Sequence, residues 1–379
     1  MSNQRVRIVI AGGGTGGHVQ PAIAVADVLR NRADVELTWI GSSTGVEQQS
    51  AADRRIPFVS IPTGKFRRYV SLYTVLDAIR IPFGILRARL HLRRLNPSVV
   101  FSTGGFVSVP TVVAAWLAGF PIITHEQTAT IGLANRINAR LADRIALAYE
   151  ETRRLIPHAN DRVVVTGNPV RSELIAGDAD RIRENLGFPP DPPIVYVTGG
   201  SLGAQAINLA IQKIVPDLVQ RACVIHQCGP AAQNGDYPRL LQTRSSLPEE
   251  LRHRYAVRER ISGELADIYA AADVVVGRSG GGTVAELALL GKPAILIPLP
   301  GTASDEQTRN ARVLADAGGA ILLPQSEMSP ERLLRHIDEL LSDNDQRASM
   351  SLSASSVAQP DAADVLADEI LRLAQRGSG

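Results

Sequence analysis

Val6-Arg7-Ile8-Val9-Ile10-Ala11-Gly12-Gly13-Gly14-Thr15-Gly16-Gly17-His18, residues 6–18 of the 379-residue chain, sets an apolar, β-branched run directly against a cluster of glycines. The run is that of a buried strand. Helical spacing follows at Ala22, Ile23, Ala26 and Leu29, so the segment reads as strand, glycine loop and helix. Glycines let a backbone approach a ligand closely, and the first amides of the helix point toward an anion or a polar oxygen. The same device recurs at Pro193 to Thr198, followed by Gly199-Gly200-Ser201-Leu202-Gly203-Ala204-Gln205 and a helix through Ala204 to Val215. Two such openings predict two consecutive doubly wound parallel sheets of the α/β class.

Working outward, strands are expected at Glu36 to Ile40, Val99 to Ser102, Pro121 to His125, Ile145 to Ala148 and Val163 to Thr166. A second series covers Cys223 to Gln227, Asp273 to Val276, Ala294 to Ile297 and Gly319 to Leu323. Their continuous rather than alternating hydrophobicity implies burial on both faces. Thr166 to Arg171 (TGNPVR) combines Gly, Asn and Pro and marks the hinge between the halves. The last helix, Asp361 to Ala374, carries Val365, Leu366, Ile370 and Leu373 on one stripe and needs a surface to cover.

Bulk properties agree with two packed domains and a cleft between them. The chain exceeds what a single hydrophobic core usually serves. Apolar residues make up 45% and charged ones 21%, which excludes a disordered chain. Cys223 and Cys228 have no partner pair at zinc-like spacing and read as reduced filler of a cytoplasmic protein. The apolar run at the N-terminus is too short for a signal peptide, and no stretch approaches the roughly 20 apolar residues needed to cross a bilayer, so membrane contact is expected to be peripheral. No nucleic-acid partner is expected.

Gly12, Gly14 and Gly17 spell G-x-G-x-x-G, yet the second strand ends Trp39-Ile40-Gly41-Ser42-Ser43 without the ribose-binding acid of a dinucleotide site. A third loop, Ser102-Thr103-Gly104-Gly105-Phe106, closes another strand of the first half. In the second half, Arg278-Ser279-Gly280-Gly281-Gly282-Thr283-Val284-Ala285-Glu286 follows a strand and opens a helix. Its small residues admit a flat base or ribose, and Glu286, one turn in, is placed to accept hydrogen bonds from two neighbouring hydroxyls. Gln307, in Asp305 to Ala311, offers an amide suited to sugar hydroxyls. Three residues are candidate general bases: His18 at a helix start, where the dipole favours neutral imidazole, and His125 and Glu126 at a strand end of the same half.

Leu76 to Leu95 (LDAIRIPFGILRARLHLRRL) mixes Leu76, Ile79, Phe83, Ile85, Leu86 and Leu90 with Arg80, Arg87, Arg89, Arg93 and Arg94. Pro82 and Gly84 are expected to interrupt it, leaving an apolar and basic surface element rather than one straight helix. Such an element suits docking on anionic lipid headgroups.

Taken together, GGTGGH (Gly13 to His18), PTGKFRR (Pro62 to Arg68), STGGFVSVP (Ser102 to Pro110), HEQ (His125 to Gln127), GNPVR (Gly167 to Arg171), GGSLGAQAIN (Gly199 to Asn208), RSGGGTVAE (Arg278 to Glu286) and EQTRNA (Glu306 to Ala311) resemble the MurG family. These are the UDP-GlcNAc:lipid I GlcNAc transferases of peptidoglycan synthesis, with the GT-B fold of two Rossmann-like domains facing a central cleft. The resemblance runs through nearly the whole chain. It implies an acceptor and membrane-facing domain over residues 1–166 and a UDP-GlcNAc-binding domain over 167–349, with a C-terminal helix, about 350–379, packed back on the first. It implies Ser201 and Arg171 near the diphosphate and Ile261 with Arg278, Ser279, Gly280, Gly281, Gly282 and Thr283 around uracil. Glu286 would meet the ribose and Gln307 the GlcNAc hydroxyls, with Thr15, Gly16 and Gly17 closing over the donor. Lipid I would enter beside Leu76 to Leu95 at the cytoplasmic membrane face, with Trp116 joining that surface.

Three positions depart from the family pattern. Thr128 follows HEQ in place of the usual Asn, at a donor or acceptor position. Glu306 precedes Gln307, and Val19-Gln20-Pro21 follows His18. The resulting expectation is an inverting, single-displacement transfer to the C4 hydroxyl of MurNAc in lipid I, without an obligatory metal or other cofactor. Asp178-Ala179-Asp180 and Asp343-Asn344-Asp345 read as solvated surface acids. The alternatives are a related transferase acting on another lipid or natural product, a nicotinamide-dependent oxidoreductase and a non-catalytic sugar-nucleotide sensor.

Overall fold

A computed structural model describes residues 5–64, 72–261 and 263–376. The chain divides into two compact units, one running to Arg171 and resuming at Gln359, the other spanning Ser172–Ala358.

The first unit contains strands β1 (Val6–Gly12), β2 (Val35–Gly41), β3 (Phe58–Ser60), β4 (Val99–Gly104), β5 (Ile122–Glu126), β6 (Arg144–Leu147) and β7 (Val163–Val165). Its helices are α1 (Gly16–Arg32), α2 (Val46–Asp53), α3 (Leu72–Leu95), α4 (Ser108–Ala118) and α5 (Leu133–Leu141). Among the described residues the strands form one sheet in the order β3-β2-β1-β4-β5-β6-β7, and each neighbouring pair is parallel. Successive residues of β1 go to opposite faces. Ile8 and Ile10 pack with Val19, Ala22, Val25 and Leu29 of α1, while Val9 and Ala11 pack with Ala88, Leu92, Val112 and Ala115 of α3 and α4. Helices cover both faces, which explains why the strand sequences are continuously apolar.

The second unit contains β8 (Ile194–Thr198), β9 (Cys223–Gln227), β10 (Tyr255–Arg258), β11 (Val274–Gly277), β12 (Ala294–Leu296) and β13 (Ala320–Leu322). Its helices are α6 (Ala179–Leu186), α7 (Gln205–Leu218), α8 (Ala231–Asn234), α9 (Asp236–Ser246), α10 (Leu265–Ala271), α11 (Gly281–Leu289), α12 (Glu306–Asp316), α13 (Pro330–Ser342) and α14 (Asn344–Ser356). The sheet order is β10-β9-β8-β11-β12-β13, again parallel throughout.

The last helix, α15 (Ala362–Arg376), belongs to the first unit. Leu366, Ile370 and Leu373 are buried in the same cluster as α1, each contributing about 2 kcal/mol of transfer free energy. Arg32 pairs with Asp364 and Asp368, and Arg144 with Glu369 at 2.8 Å. The free energy of this docking comes mainly from the apolar stripe, because the Arg32 pairs are solvent-exposed.

Two strands, β3 and β10, are absent from the sequence reading. Both are sheet edges with a single hydrogen-bonded neighbour, and such strands need no continuous apolar run. One expectation is corrected: α3 is a single helix passing through Pro82 and Gly84. Helix-favouring Leu, Arg and Ala surround both residues. Gly84 is there for close packing rather than for breaking, since a Cβ on it would lie 2.2 Å from the Pro62 carbonyl oxygen and 3.3 Å from Pro110 of α4.

Candidate functional site

Strand order reverses between β1 and β4 in the first unit and between β8 and β11 in the second. Ligands of doubly wound sheets bind outside the carboxyl ends of the strands at such points. Each of these four strand ends carries a glycine loop: residues 12–17 and 104–105 in one unit, 199–203 and 278–282 in the other.

In the first unit the two loops interlock. A Cβ on Gly14 would lie 2.7 Å from the Phe106 ring, and one on Gly105 would lie 2.3 Å from the Gly13 carbonyl oxygen. The Trp39 indole donates to the Gly12 carbonyl at 2.9 Å. Thr15 and Gly17 are exposed at the start of α1, with Gly16 half-buried between them. His18, in the first turn, has Nδ1 2.9 Å from the Thr103 carbonyl oxygen and 3.1 Å from Oε1 of Gln127. A carbonyl only accepts, so Nδ1 carries a proton, and in the neutral ring the lone pair lies on Nε2. Gln127 is held in turn by donating to the carbonyls of Thr103 and His125. The ring of His18 is therefore fixed in the tautomer that a general base requires.

The other two base candidates are built differently. His125 is fully buried and its Nε2 donates to the Gly167 carbonyl at 2.9 Å. Burial pushes its pKa down to about 4, with the neighbouring His18 adding to the effect, so the ring is neutral. Glu126 is 4% exposed, and burial raises its pKa. Its oxygens accept from the Thr128 amide and hydroxyl, the Gly132 amide and Asn135 Nδ2 at 2.9–3.2 Å. Glu126 thereby shapes residues 126–132, and the hydroxyl of Thr128 points into this internal network. Asn135 also donates to the His125 carbonyl at 3.0 Å.

The second unit gathers most of the expected donor residues along one rim. Gly200 donates to Oγ1 of Thr198 at 3.0 Å, Ser201 is exposed and Ile261 is half-buried. Arg278 is 8% exposed, and its guanidinium donates to the carbonyls of Ile297 and Pro298 and to Gln325 Oε1 at 2.6–3.1 Å. Its side chain ties three loops together. Ser279, fully buried, donates to the Gln307 carbonyl at 2.7 Å, and Gln307 Oε1 accepts from the Leu299 amide at 2.9 Å. A Cβ added to Gly280 or Gly282 would meet no atom within 4 Å, whereas Gly281 is buried and Thr283 half-buried. Glu286 is half-buried, and its Oε2 accepts from the Tyr269 hydroxyl at 2.9 Å. Tyr269 is itself set edge-on to Tyr196 at 5.6 Å. Just before Gln307, Ser304 and Asp305 both adopt left-handed backbone, at φ 56° and 53°. Consecutive non-glycine residues in that region store strain, which concentrates at binding sites. Arg171 closes the first unit and is half-buried.

Several residues that organise the rims escape sequence reading: Glu47, Trp39 and Asn135 in the first unit, Tyr269 and Gln325 in the second. None lies in a glycine loop. The two acidic spellings prove to be helix caps, with Asp178 accepting from the Asp180 and Arg181 amides and Asp343 from the Gln346 amide. Among the described residues no group of three or more His, Cys, Asp or Glu is arranged to hold a metal.

On α3, Phe83, Leu86, Arg87, Leu90 and Arg94 form one exposed stripe, while Gly84, Ala88 and Leu92 face inward. Phe83 is 60% exposed, Leu86 55% and Trp116 of the adjoining α4 55%. Arg80 is exposed and Arg89 half-buried. Partial burial, then the charges of Arg94 and Arg87, lower the pKa of His91. The side chains of Leu76 and Ile79, and the Lys65 to Arg68 part of PTGKFRR, lie outside the described residues. No described helix is long and apolar enough to cross a membrane.

Residues 8–147 match the glycosyltransferase family 28 N-terminal domain and residues 194–366 its C-terminal domain. The chain is 36% identical over 376 residues, 95% of its length and 96% of the relative's, to the UDP-N-acetylglucosamine–N-acetylmuramyl-(pentapeptide) pyrophosphoryl-undecaprenol N-acetylglucosamine transferase of Treponema denticola. It is 38% identical over 335 residues, 88% of this chain and 86% of the other, to the enzyme of the same name in Treponema pallidum. Among solved structures it is similar to MurG of Acinetobacter baumannii, at TM-score 0.70 and 28% identity over 97% of this chain and 99% of that one. A UDP-GlcNAc 2-epimerase of Neisseria meningitidis reaches 0.68 at 14% identity, covering 97% and 100%, a likeness of fold alone.

Proposed function

The chain belongs to glycosyltransferase family 28, and from that premise we propose that it moves GlcNAc from UDP-GlcNAc to the C4 hydroxyl of MurNAc in lipid I, giving lipid II. The second unit binds the donor. Glu286 accepts from the ribose hydroxyls, the open backbone at Gly280 and Gly282 receives the base, Gln307 meets the sugar, and the amides near Ser201 face the diphosphate. Ile261 lines the base, and Arg278 acts by holding the loops that shape this rim.

The first unit supplies the base. His18 Nε2 takes the C4 hydroxyl proton as that oxygen bonds to the anomeric carbon, and the bond from this carbon to the β-phosphate oxygen breaks on the opposite side. One displacement inverts the anomeric centre. Charge developing on UDP is met by preorganised amides, the kind of stabilisation that lowers such barriers most, so no obligatory metal is proposed. The observation that carries this assignment of the base is the bond from His18 Nδ1 to the Thr103 carbonyl, which puts the lone pair of the neutral ring on Nε2. His125 and Glu126 serve as positioning groups because their polar atoms are buried or taken by internal partners.

The stripe of Phe83, Leu86 and Leu90 with Arg80, Arg87 and Arg94, continued by Trp116, is the face that meets anionic lipid. Apolar side chains enter the interface while arginines meet headgroups, which makes the protein peripheral on the cytoplasmic face of the cell membrane. The test of the whole reading is transfer of labelled GlcNAc to a synthetic lipid I analogue. Turnover is expected with UDP-GlcNAc, and no turnover at saturating donor rejects the assignment. For the lipid face, Leu86→Asp is expected to reduce sedimentation with anionic vesicles while turnover of a soluble acceptor persists; equal sedimentation rejects that part alone.

A further inference from the structure

Glu47 lies in the first turn of α2 and has no exposed surface. One carboxylate oxygen accepts from the Gly14 amide at 3.0 Å and the other from the Ser42 amide at 2.9 Å. Three glycines make room for it. A Cβ on Gly13 would lie 2.4 Å from its Cδ, one on Gly45 would lie 2.0 Å from Oε2, and one on Gly41 would lie 2.8 Å from Cγ. The carboxylate thus fills a hollow formed by the first glycine loop and the end of β2.

Glycine loops before a helix ordinarily direct their amides at an external anion. Here an internal carboxylate takes the Gly14 amide. Removing a carboxylate from water is costly, and an apolar side chain of similar volume packs such a hollow without that cost. What an apolar side chain lacks is the ability to accept from two backbone amides in separate loops at once. The segment so held runs from Gly13 to His18, the residue whose Nδ1 is fixed from the other side by Thr103.

We propose that Glu47 is a positioning residue, the built-in anion around which the loop carrying the general base is formed. It acts through the Gly13 to His18 loop and, with no exposed surface, touches neither substrate itself. This inference rests on the transferase reading above.

The experiment compares wild type, Glu47→Gln and Glu47→Ala, measuring UDP-GlcNAc affinity by calorimetry and kcat and acceptor KM in the transfer assay. It is run with sodium formate and with sodium chloride at matched ionic strength. Gln places an NH2 against one of the two amides and leaves a buried donor unsatisfied, so kcat is expected to fall about ten-fold or more, with a smaller loss of donor affinity through Thr15, Gly16 and Gly17. Ala leaves a cavity with two unsatisfied amides. Formate, a carboxylate small enough to enter it, is expected to restore part of the lost kcat, and chloride is not. A purely structural acid would lower folding and donor binding together and show no formate-specific rescue. Wild-type kcat in Glu47→Gln overturns the inference, as does a folded Glu47→Ala whose lost kcat formate leaves unchanged. If Glu47→Ala does not fold, Glu47→Gln decides alone. A wild-type chain without turnover removes the transferase reading, and this inference with it, whereas wild-type turnover with an unaffected Glu47→Gln removes the inference only.

Discussion

The loops at the β1/β4 ends and those at the β8/β11 ends are spelled almost alike, yet their glycines are needed for different reasons. In the first unit a Cβ would collide with protein at Gly12, Gly13, Gly14, Gly104 and Gly105, the contacts ranging from 2.0 to 2.7 Å. There the absence of a side chain is required by neighbouring protein, except at Gly17, where a Cβ would meet only Thr15 Oγ1 at 3.8 Å. In the second unit Gly199 and Gly277 are packed in the same way, but Gly200, Gly280 and Gly282 meet nothing within 4 Å. The packing of their own unit does not demand those glycines. A glycine facing open space at a strand end leaves room for a ligand, and Gly280 and Gly282 therefore suit the proposed donor rim better than the crowded glycines of the first unit do.

The largest expected effect separates chemistry from binding. His18→Ala should lower turnover by about 10²- to 10⁴-fold, the usual worth of a general base, while UDP-GlcNAc affinity measured by calorimetry stays near wild type. An unchanged rate would remove His18 from the mechanism. Next comes the contrast between glycines. Gly105→Ala combines an unfavourable φ of +78° with a Cβ 2.3 Å from a carbonyl oxygen, and should cost about 2–4 kcal/mol in denaturant melts. Gly280→Ala, at φ −62°, should leave stability within about 0.5 kcal/mol and weaken the donor complex instead. Equal stability losses in the two variants would break the comparison.

A smaller effect is expected at Glu286. Its replacement by Ala removes hydrogen bonds to a charged acceptor and should weaken UDP-GlcNAc by about 10- to 100-fold, with unchanged affinity ruling out the ribose role.

The last effect is a pH dependence to which each unit contributes one histidine. Burial lowers His125 to about 4 and His226 to about 3. Both rings stay neutral in the folded state while the unfolded chain takes up protons below about 6.5. The stability they contribute is therefore complete above that pH and is lost as pH falls, at up to about 1.4 kcal/mol per pH unit for each, until the folded value is reached. His226 is matched on both sides, its Nδ1 accepting from Tyr255 at 2.8 Å and its Nε2 donating to Asn208 at 2.9 Å. Replacing His226 with Gln should flatten the acid limb of thermal melts between pH 6.5 and 4, together with a lower plateau, and an unaltered slope would dismiss this account.

Much of the proposed donor rim is legible in the sequence because its elements are local. A strand, a glycine turn and the first helical turn are set by neighbouring residues, so spacing singles out the Gly199 to Gln205 loop, the Arg278 to Thr283 loop and Glu286. The central strands are legible for a related reason, since burial on both faces leaves a continuous apolar signature. The edge strands β3 and β10 lack it. Glu47 gives no such signal, because it lies beyond the end of β2, past Ser43, and a carboxylate aimed at its own backbone has no sequence signature. For α3, Pro82 and Gly84 suggest a break because local propensity takes no account of the packing against Pro62 and Pro110 that retains the helix.

By itself the sequence determined the two parallel α/β units, the loops at their strand ends and the family to which those loops belong. These follow from short-range periodicity and from backbone freedom at glycine. Only the tertiary structure separated His18 from His125 and Glu126, three residues of equal promise on paper. The distinction lies in which polar atoms meet partners more than twenty residues away: the Thr103 carbonyl holds one ring's proton on Nδ1, while Gly167 occupies the second ring's Nε2. In Glu126 it is burial, together with amides from the following turn, that engages the carboxylate, and burial of that kind is created by folding rather than written in any local run of residues.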